Sequence, residues 1–223
     1  MGLATTAGSG VSVIICICVF IWMQRDVDHI QELLRQQKAA VIQKRRELEI
    51  IERKIDNRLR QIEDAVTSEL DTIRFVSYPA RRITWIRNPM PIRSYLDLEV
   101  PIRQLEGKQK DAMAFLGKIG VGISQEHLAA GEYQKYDMVF MLLDPEDDFE
   151  GDVEEIPAET CVTLRFCGSH ADAPVQYQKL AAFIADHNLQ IAGFSKEITM
   201  IDYGITNDTE KFVTEIQIPI QAQ

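Results

Sequence analysis

The feature that most constrains the fold is a long stretch, residues 24–66, that contains neither glycine nor proline. Apolar residues recur in it at every seventh position: Val27, Leu34, Val41, Leu48, Ile55 and Ile62. A seven-residue apolar repeat among charged residues is typical of a helix that buries one seam against a second helix. At 1.5 Å per residue the helix would be about 60 Å long, too long to bury its seam against one compact domain. We therefore predict a coiled-coil dimerisation helix over residues 24–68, and the alternative is a single helix packed along its own domain.

Residues 1–23 form a separate short N-terminal segment. Its second part, residues 11–23, is the most hydrophobic run of the chain. The run is shorter than the roughly 20 apolar residues that cross a bilayer. It also lacks a preceding Lys or Arg and a clear cleavage site, which a secretory signal would have. Three interpretations of this segment stay open: a short membrane anchor, a buried helix or strand, and a truncated start. The last two are favoured, so a membrane is not the favoured partner.

The charge and the cysteines exclude several classes of protein. The formal net charge is −10, and 46% of the residues are hydrophobic. An acidic chain argues against a broad basic surface for nucleic-acid phosphates and suits cationic partners better than anionic ones. The four cysteines and four histidines show none of the paired spacings of zinc ligands. We therefore expect no metal and no cofactor, and a reducing cytoplasmic location.

From residue 70 onward, strand-like and helix-like stretches alternate. The order strand, helix, strand, strand occurs twice, over about residues 73–143 and 160–220. A duplicated unit of this kind can join its sheets and leave a cleft near the axis that relates the halves. The predicted fold class is α+β, with the long dimerisation helix followed by a duplicated βαββ domain over residues 70–223. The acidic loop at residues 144–155 fits no calcium-binding loop and is expected to be solvated.

Two glutamates in the last two predicted strands need an explanation. Glu197 and Glu215 each lie in mid-strand with apolar neighbours, where Glu is disfavoured unless it faces water or has a partner. In one interpretation both carboxylates face solvent on the polar side of a two-layer sheet. In the other, a partly desolvated Glu anchors a positively charged, apolar ligand in an aromatic-lined pocket.

Several of these stretches resemble a known family. Residues 177–186, 196–198 and 207–212, with the ending Glu-Ile-Gln-Ile-Pro at 215–219, are similar to the GyrI-like effector-binding domain. The start of the long helix, residues 25–34, is similar to the segment that precedes this domain in the multidrug-sensing branch of the MerR-type bacterial transcription regulators. The family's amino-terminal winged helix-turn-helix is not visible, because the space before Arg25 is too short and its composition is wrong. DNA would therefore be bound only through a domain not visible in this chain.

The resemblance implies a function and a set of site residues. Ligands of the multidrug branch are lipophilic cations held between aromatic side chains and a buried Glu. By position Glu197 matches this pocket Glu, Phe212 matches a pocket aromatic, and Glu215 belongs to the terminal motif. Further aromatic candidates, placed by the same resemblance, are Tyr95, Tyr133, Tyr136, Tyr177 and Tyr203. The expected protein is the effector-sensing and dimerisation portion of a MerR-type regulator, and not an enzyme.

Two alternatives belong to other functional classes. Some GyrI-like domains hydrolyse small electrophiles, and here Glu197 could serve as general base with Tyr203 or Tyr177 assisting. Against this, no set of nucleophile, base and orienting residue is legible in the sequence. The other alternative is a membrane-tethered small-molecule-binding module that uses the hydrophobic run at residues 11–23.

Overall fold

The computed structural model describes residues 27–91, 97, 100, 101, 103, 104, 119–145, 147 and 149–221. The N-terminal segment 1–23 and Tyr95 lie outside these residues. The chain divides into two units, Met1–Ile51 and Glu52–Gln223. In the described part of the chain, no helix is both long enough and apolar enough to cross a membrane.

Helix α1 runs from Val27 to Thr67. In the first unit its heptad side chains are exposed to solvent: Val27, Leu34, Val41 and Leu48. Ion pairs one turn apart, such as Arg45 Nε to Glu49 Oε1 at 3.3 Å, support the flanks of the helix. In the second unit the helix ends where the Ser68 hydroxyl donates to the carbonyl of Ala65 at 2.8 Å. The structure thus has the predicted long helix, with an apolar seam that faces solvent in the isolated chain.

In the part of the chain that the structure describes, eight strands form one antiparallel sheet. They are β1 (Ile73–Tyr78), β2 (Arg81–Pro91), β3 (Ile119–Gly122), β4 (Lys135–Leu143), β5 (Glu154–Ile156), β6 (Glu159–Cys167), β7 (Lys196–Ile201) and β8 (Val213–Ile220). Their order across the sheet is β1-β6-β8-β7-β3-β4-β2-β5. The α+β class, with a long helix followed by a sheet domain, is therefore confirmed.

The strand order also shows the duplication. Strands β2, β3 and β4 mirror β6, β7 and β8, and the halves meet where β3 pairs with β7, with Val121 opposite Glu197. A Cβ atom at Gly120 would lie 2.6 Å from the carbonyl oxygen of Glu197, so glycine permits this close pairing. The first repeat begins at β2 and not at residue 73, because β1 pairs with β6 of the other half. Strand β5 correspondingly pairs with β2, so the halves exchange their edge strands.

Helix α3 (Ala173–Asp186) covers one side of the sheet, which we call the α3 face. The helix has Pro174 in its first turn, where the missing backbone N–H costs nothing. Its buried side chains recur at helical spacing: Ala173, Tyr177, Leu180 and Ile184. They join the main core with the alternate residues of β6 and β8. A short helix, α2 (Gln125–Ala130), connects β3 to β4.

The end of α1 lies against the opposite side of the sheet, the α1 face. Ala65 packs there with Ile201 and Val213. The same end of the helix also makes polar contacts. Lys54 Nζ is 2.9 Å from Asp147 Oδ1, and both side chains are buried. Asp147 belongs to the acidic loop that was expected to be solvated. That expectation is wrong for Asp147, because a buried lysine supplies its counter-charge.

Candidate functional site

Glu197 lies in the core of the α3 face, and its side chain is fully enclosed, with 0% exposure. Both of its carboxylate oxygens have partners. His170 Nδ1 is 2.5 Å from Oε1, and the Tyr136 hydroxyl donates to Oε2 at 2.9 Å. The other ring nitrogen of His170 is 3.4 Å from Thr199 Oγ1. The buried charge is therefore satisfied within the protein, as a carboxylate in a core must be.

The fold positions each member of this cluster on a different element. Glu197 is in β7, Tyr136 is the second residue of β4, and His170 lies in the turn between β6 and α3. Tyr177, on α3, has its hydroxyl 2.9 Å from Ser195 Oγ. Burial raises the pKa of the Tyr136 phenol, and the nearby Glu197 carboxylate adds to the shift. The pKa of Tyr177 is raised for the same two reasons, so both phenols stay protonated and can donate.

Glu215 faces the other side of the sheet and lines a cleft. The cleft has a volume of about 330 Å³, which is within the size range of small-molecule sites. Residues from the end of α1 and from β1, β2, β4, β6, β7 and β8 line it. Glu215 is only 6% exposed. Its partners are Tyr78, whose hydroxyl donates at 2.8 Å, Gln217 at 2.6 Å and Arg165, whose Nε donates at 2.5 Å.

Arg165 connects this glutamate to helix α1. Its NH2 group donates to Asp64 Oδ2 at 2.6 Å, while its Nε donates to Glu215. Burial alone would lower the pKa of Arg165, but the bonds to Asp64 and Glu215 outweigh it and raise that pKa above its usual value. The guanidinium therefore stays charged and joins the sheet to the helix.

Three more guanidinium groups line the cleft. Arg81 stacks over the ring of Tyr78, with 4.4 Å between the guanidinium carbon and the ring centroid. Burial, followed by the charge of Glu215, raises the pKa of Tyr78, which keeps the phenol protonated. Arg74 pairs with Glu69 at 2.8 Å. The fourth guanidinium, Arg58, comes from α1. The cleft can thus contact both charged groups and an aromatic ring of a ligand.

The predicted site residues fall into three places. Glu197, Tyr136 and Tyr177 come together on the α3 face, and Tyr133 stacks on Tyr177 with centroids 5.7 Å apart. Glu215 lies on the α1 face.

Phe212 and Tyr203 form a separate edge-to-face pair at 4.8 Å. Phe212 is buried, and Tyr203 is 57% exposed. Neither belongs to the lining of the cleft. Tyr95 lies outside the described residues. Within the part of the chain that the structure describes, no group of three or more His, Cys, Asp or Glu side chains is placed to hold a metal.

Sequence reasoning missed His170, Tyr78 and Arg165. Arg165 had a usable signal, because an arginine between leucine and phenylalanine in a core strand needs a carboxylate partner. The register supplies it, since Arg165 of β6 is directly opposite Glu215 of β8. His170 carried no local signal.

Comparison with known proteins identifies the family. The sequence profile described as the GyrI-like small molecule binding domain matches residues 71–221. This chain belongs to the GyrI-like family. The resemblance seen in the terminal strands is thereby confirmed, and residues 71–221 are the GyrI-like domain of the chain. No curated protein matches the sequence.

Solved structures share the fold. The EcmrR C-terminal domain has a TM-score of 0.52 and 18% identity, with 68% of this chain and 98% of that chain covered. EcmrR in its complex with DNA has the same TM-score and identity, with 100% and 90% covered. A hydrolase encoded by lin2189 from Listeria innocua has a TM-score of 0.44 and 9% identity, with 70% and 94% covered. At 18% identity, the likeness to the two EcmrR structures shows a common fold and nothing about ligands.

Proposed function

We propose that this chain is the effector-sensing and dimerisation portion of a MerR-type transcription regulator, and that its effector binds in the α1-face cleft. The observation that carries the proposal is the contact series from Glu215 through Arg165 to Asp64. It joins the floor of the cleft to helix α1, whose exposed seam is suited to dimerisation. The fold-level similarity to EcmrR, which has been solved bound to DNA, supports the regulatory context.

The proposed effector is a lipophilic cation, and Glu215 is its proposed counter-ion. A cation in the cleft would compete with Arg165 for the Glu215 carboxylate, and the ring of Tyr78 could add a cation–π contact. Glu197 is less suited, because its side chain is fully enclosed and does not line the cleft. A ligand-binding role for Glu197, Tyr136, Tyr177, Phe212 or Tyr203 stays a prediction.

An effector bound at Glu215 would alter the polar contact between the sheet and helix α1. If the effector takes over Glu215, Arg165 keeps only its bonds to Asp64, namely to Oδ2 and to the backbone carbonyl. The polar contact between sheet and helix then changes without loss of the core on the α3 face. A ligand can shift such an equilibrium only through its different affinity for the two arrangements. That difference in affinity would arise because Glu215 can bind the effector only in the arrangement in which Arg165 has released its carboxylate.

The test uses tetraphenylphosphonium as the cation and triphenylphosphine oxide as a neutral comparator, measured by isothermal titration calorimetry. Glu215→Gln should weaken phosphonium binding about tenfold or more, because the attraction between the partly buried carboxylate and the phosphonium charge is lost. Binding of the phosphine oxide should change less than about twofold. Glu197→Gln is the matched control and should leave both affinities unchanged. Loss in Glu197→Gln with none in Glu215→Gln would move the site to the α3 face.

Dimerisation rests on the α1 seam at Val27, Leu34, Val41, Leu48, Ile55 and Ile62. Leu48 is exposed in the isolated chain, although a seam of apolar residues is costly to leave in water. Leu48→Asp should convert a dimer to a monomer in light scattering. Arg46→Asp is the control, because two residues along a helix is about 200° away from the seam. A monomeric parent protein, or equal dissociation by both variants, would contradict the homodimer.

A second candidate function is hydrolysis of a small electrophile, and the placement of His170 favours it. Its ring stands between the Glu197 carboxylate and the Thr199 hydroxyl, an arrangement that general-base catalysis uses. Of the two expected helpers, Tyr177 lies close enough for the Glu197 carboxylate to raise its pKa, whereas Tyr203 lies beside Phe212. Hydrolysis of 4-nitrophenyl acetate that is lost in His170→Ala would establish this function. Equal rates for parent and variant would exclude it.

We also propose a cytoplasmic location, which suits a regulator. The alternative is a module tethered to the membrane by residues 1–23. Fractionation of cells that express the chain separates these two, and recovery in the membrane fraction would contradict the proposed location.

A further inference from the structure

Four arginines line the α1-face cleft, and one of them, Arg58, differs from the other three in its partners. Arg74, Arg81 and Arg165 each pair with a carboxylate, respectively Glu69 at 2.8 Å, Glu159 at 2.6 Å and Glu215 at 2.5 Å.

Among the residues that the structure describes, Arg58 makes its hydrogen bonds to neutral acceptors. Its NH2 group donates to the backbone carbonyl of Met200 at 3.1 Å, and its NH1 group donates to Gln61 Oε1 at 3.4 Å. The side chain is half-buried between α1 and the sheet. A guanidinium has five N–H donors, so most of those of Arg58 are left for another acceptor.

Its surroundings leave this charge poorly compensated. Burial lowers the pKa of Arg58, and the charge of Asp202 opposes that shift without overcoming it. A partly desolvated cation of this kind is stabilised by an anion that enters beside it. Arg81 adds a second open donor to the same lining, because its buried Nε has no hydrogen-bond partner among the residues that the structure describes.

We infer that the effector carries an anionic group in addition to its cation, and that Arg58 binds this group. The inference rests on the proposed function, because it places both charges in the cleft that contains Glu215. The ligand class is then a lipophilic zwitterion: its cation pairs with Glu215 on the sheet, and its carboxylate or similar anion pairs with Arg58 on helix α1. Such a ligand would bridge the two elements directly.

The test compares two probes with the same cation. They are (4-carboxybutyl)triphenylphosphonium, a zwitterion at neutral pH, and pentyltriphenylphosphonium, which differs only in lacking the carboxylate. Isothermal titration calorimetry should show that the zwitterion binds the parent protein about tenfold tighter, as one charge-assisted hydrogen-bond pair predicts. Arg58→Gln should abolish this advantage and leave the affinity for the pentyl compound unchanged.

Arg74→Gln is the matched control, because it removes the same charge from the same cleft where Glu69 already compensates it. It should keep the advantage of the zwitterion. Arg58→Lys retains the charge with fewer donors and should keep part of it, and a thermal melt of each variant confirms that it is folded.

The outcomes separate the two proposals. Equal affinity of the two probes, with binding still sensitive to Glu215→Gln, would overturn the anion site and leave the effector site standing. An advantage that survives Arg58→Gln would also overturn the role of Arg58. Failure of both probes to bind the parent protein would overturn the proposed lipophilic-cation site and, with it, this inference.

Discussion

Each face of the sheet buries a glutamate, and the two glutamates differ in their bonding partners and in their surroundings. On the α3 face, Glu197 bonds to a histidine and a tyrosine beneath a helix that packs through apolar side chains. On the α1 face, Glu215 bonds to Arg165 at the edge of an open cleft. The helix on that side is held largely by polar contacts, such as those of Lys54 and Arg58.

The comparison shows why the same group suits two roles. Apolar packing gains free energy roughly in proportion to the area removed from water, and it excludes solvent and ligands alike. Polar contacts beside a cleft can be exchanged for contacts with water or a ligand at little net cost. The α3 face therefore stabilises the fold, and the α1 face is where we place recognition.

The largest effect is expected in the core of the α3 face. Leu180→Ala removes a fully buried side chain and should lower the free energy of unfolding by about 2–5 kcal/mol. Val175→Ala on the same helix is the control, because Val175 is 57% exposed. Urea denaturation gives both values. Similar losses for the two variants would show that helix α3 does not pack as described.

Removal of one hydroxyl group from the Glu197 cluster should have the next largest effect. Tyr136→Phe leaves one oxygen of the buried carboxylate without its donor, at a cost of about 1.5–3 kcal/mol in the free energy of unfolding. Tyr133→Phe serves as the control, since Tyr133 contributes a stacked ring to the same region. The idea of a closed, satisfied cluster fails if both substitutions are equally mild.

The same phenol should govern stability at high pH. Burial raises the pKa of Tyr136 above its ordinary value of 10.0. Above about pH 10 the unfolded chain loses this proton while the folded protein keeps it, so the unfolded state binds fewer protons and stability falls as pH rises. The contribution is fully present below pH 10 and declines by about 1.4 kcal/mol per pH unit above it. Denaturation of the parent and Tyr136→Phe between pH 9 and 11 should show a shallower decline in the variant, and parallel curves would contradict the shift.

The smallest effect is expected at the contact between helix α1 and the sheet. Asp64→Asn weakens the bond to Arg165, and Asp64 is 59% exposed at its side chain, so the loss of stability should be below about 1 kcal/mol. Hydrogen exchange of the last turns of α1 should nevertheless accelerate relative to Asp56→Asn, an exposed position on the same helix. Unchanged exchange would mean that Asp64 does not hold the helix to the sheet.

Local patterns in the sequence determined much of the fold. The heptad repeat indicates α1, the alternation of apolar residues indicates β6 and β8, and the Glu-Ile-Gln-Ile-Pro ending indicates the GyrI-like domain. These features can be predicted because side-chain direction within one helix or strand follows from its own period of 3.6 or 2 residues.

Only the tertiary structure decided where the glutamates lie. Residues paired across neighbouring strands point to the same side, and Glu197 is paired with Ile216 while Ile198 is paired with Glu215. The two carboxylates therefore face opposite sides of the sheet. That relation depends on the register between strands, and a shift of one residue would reverse it. The bond from Arg165 to Asp64 likewise joins residues 101 positions apart, so no local pattern could reveal it.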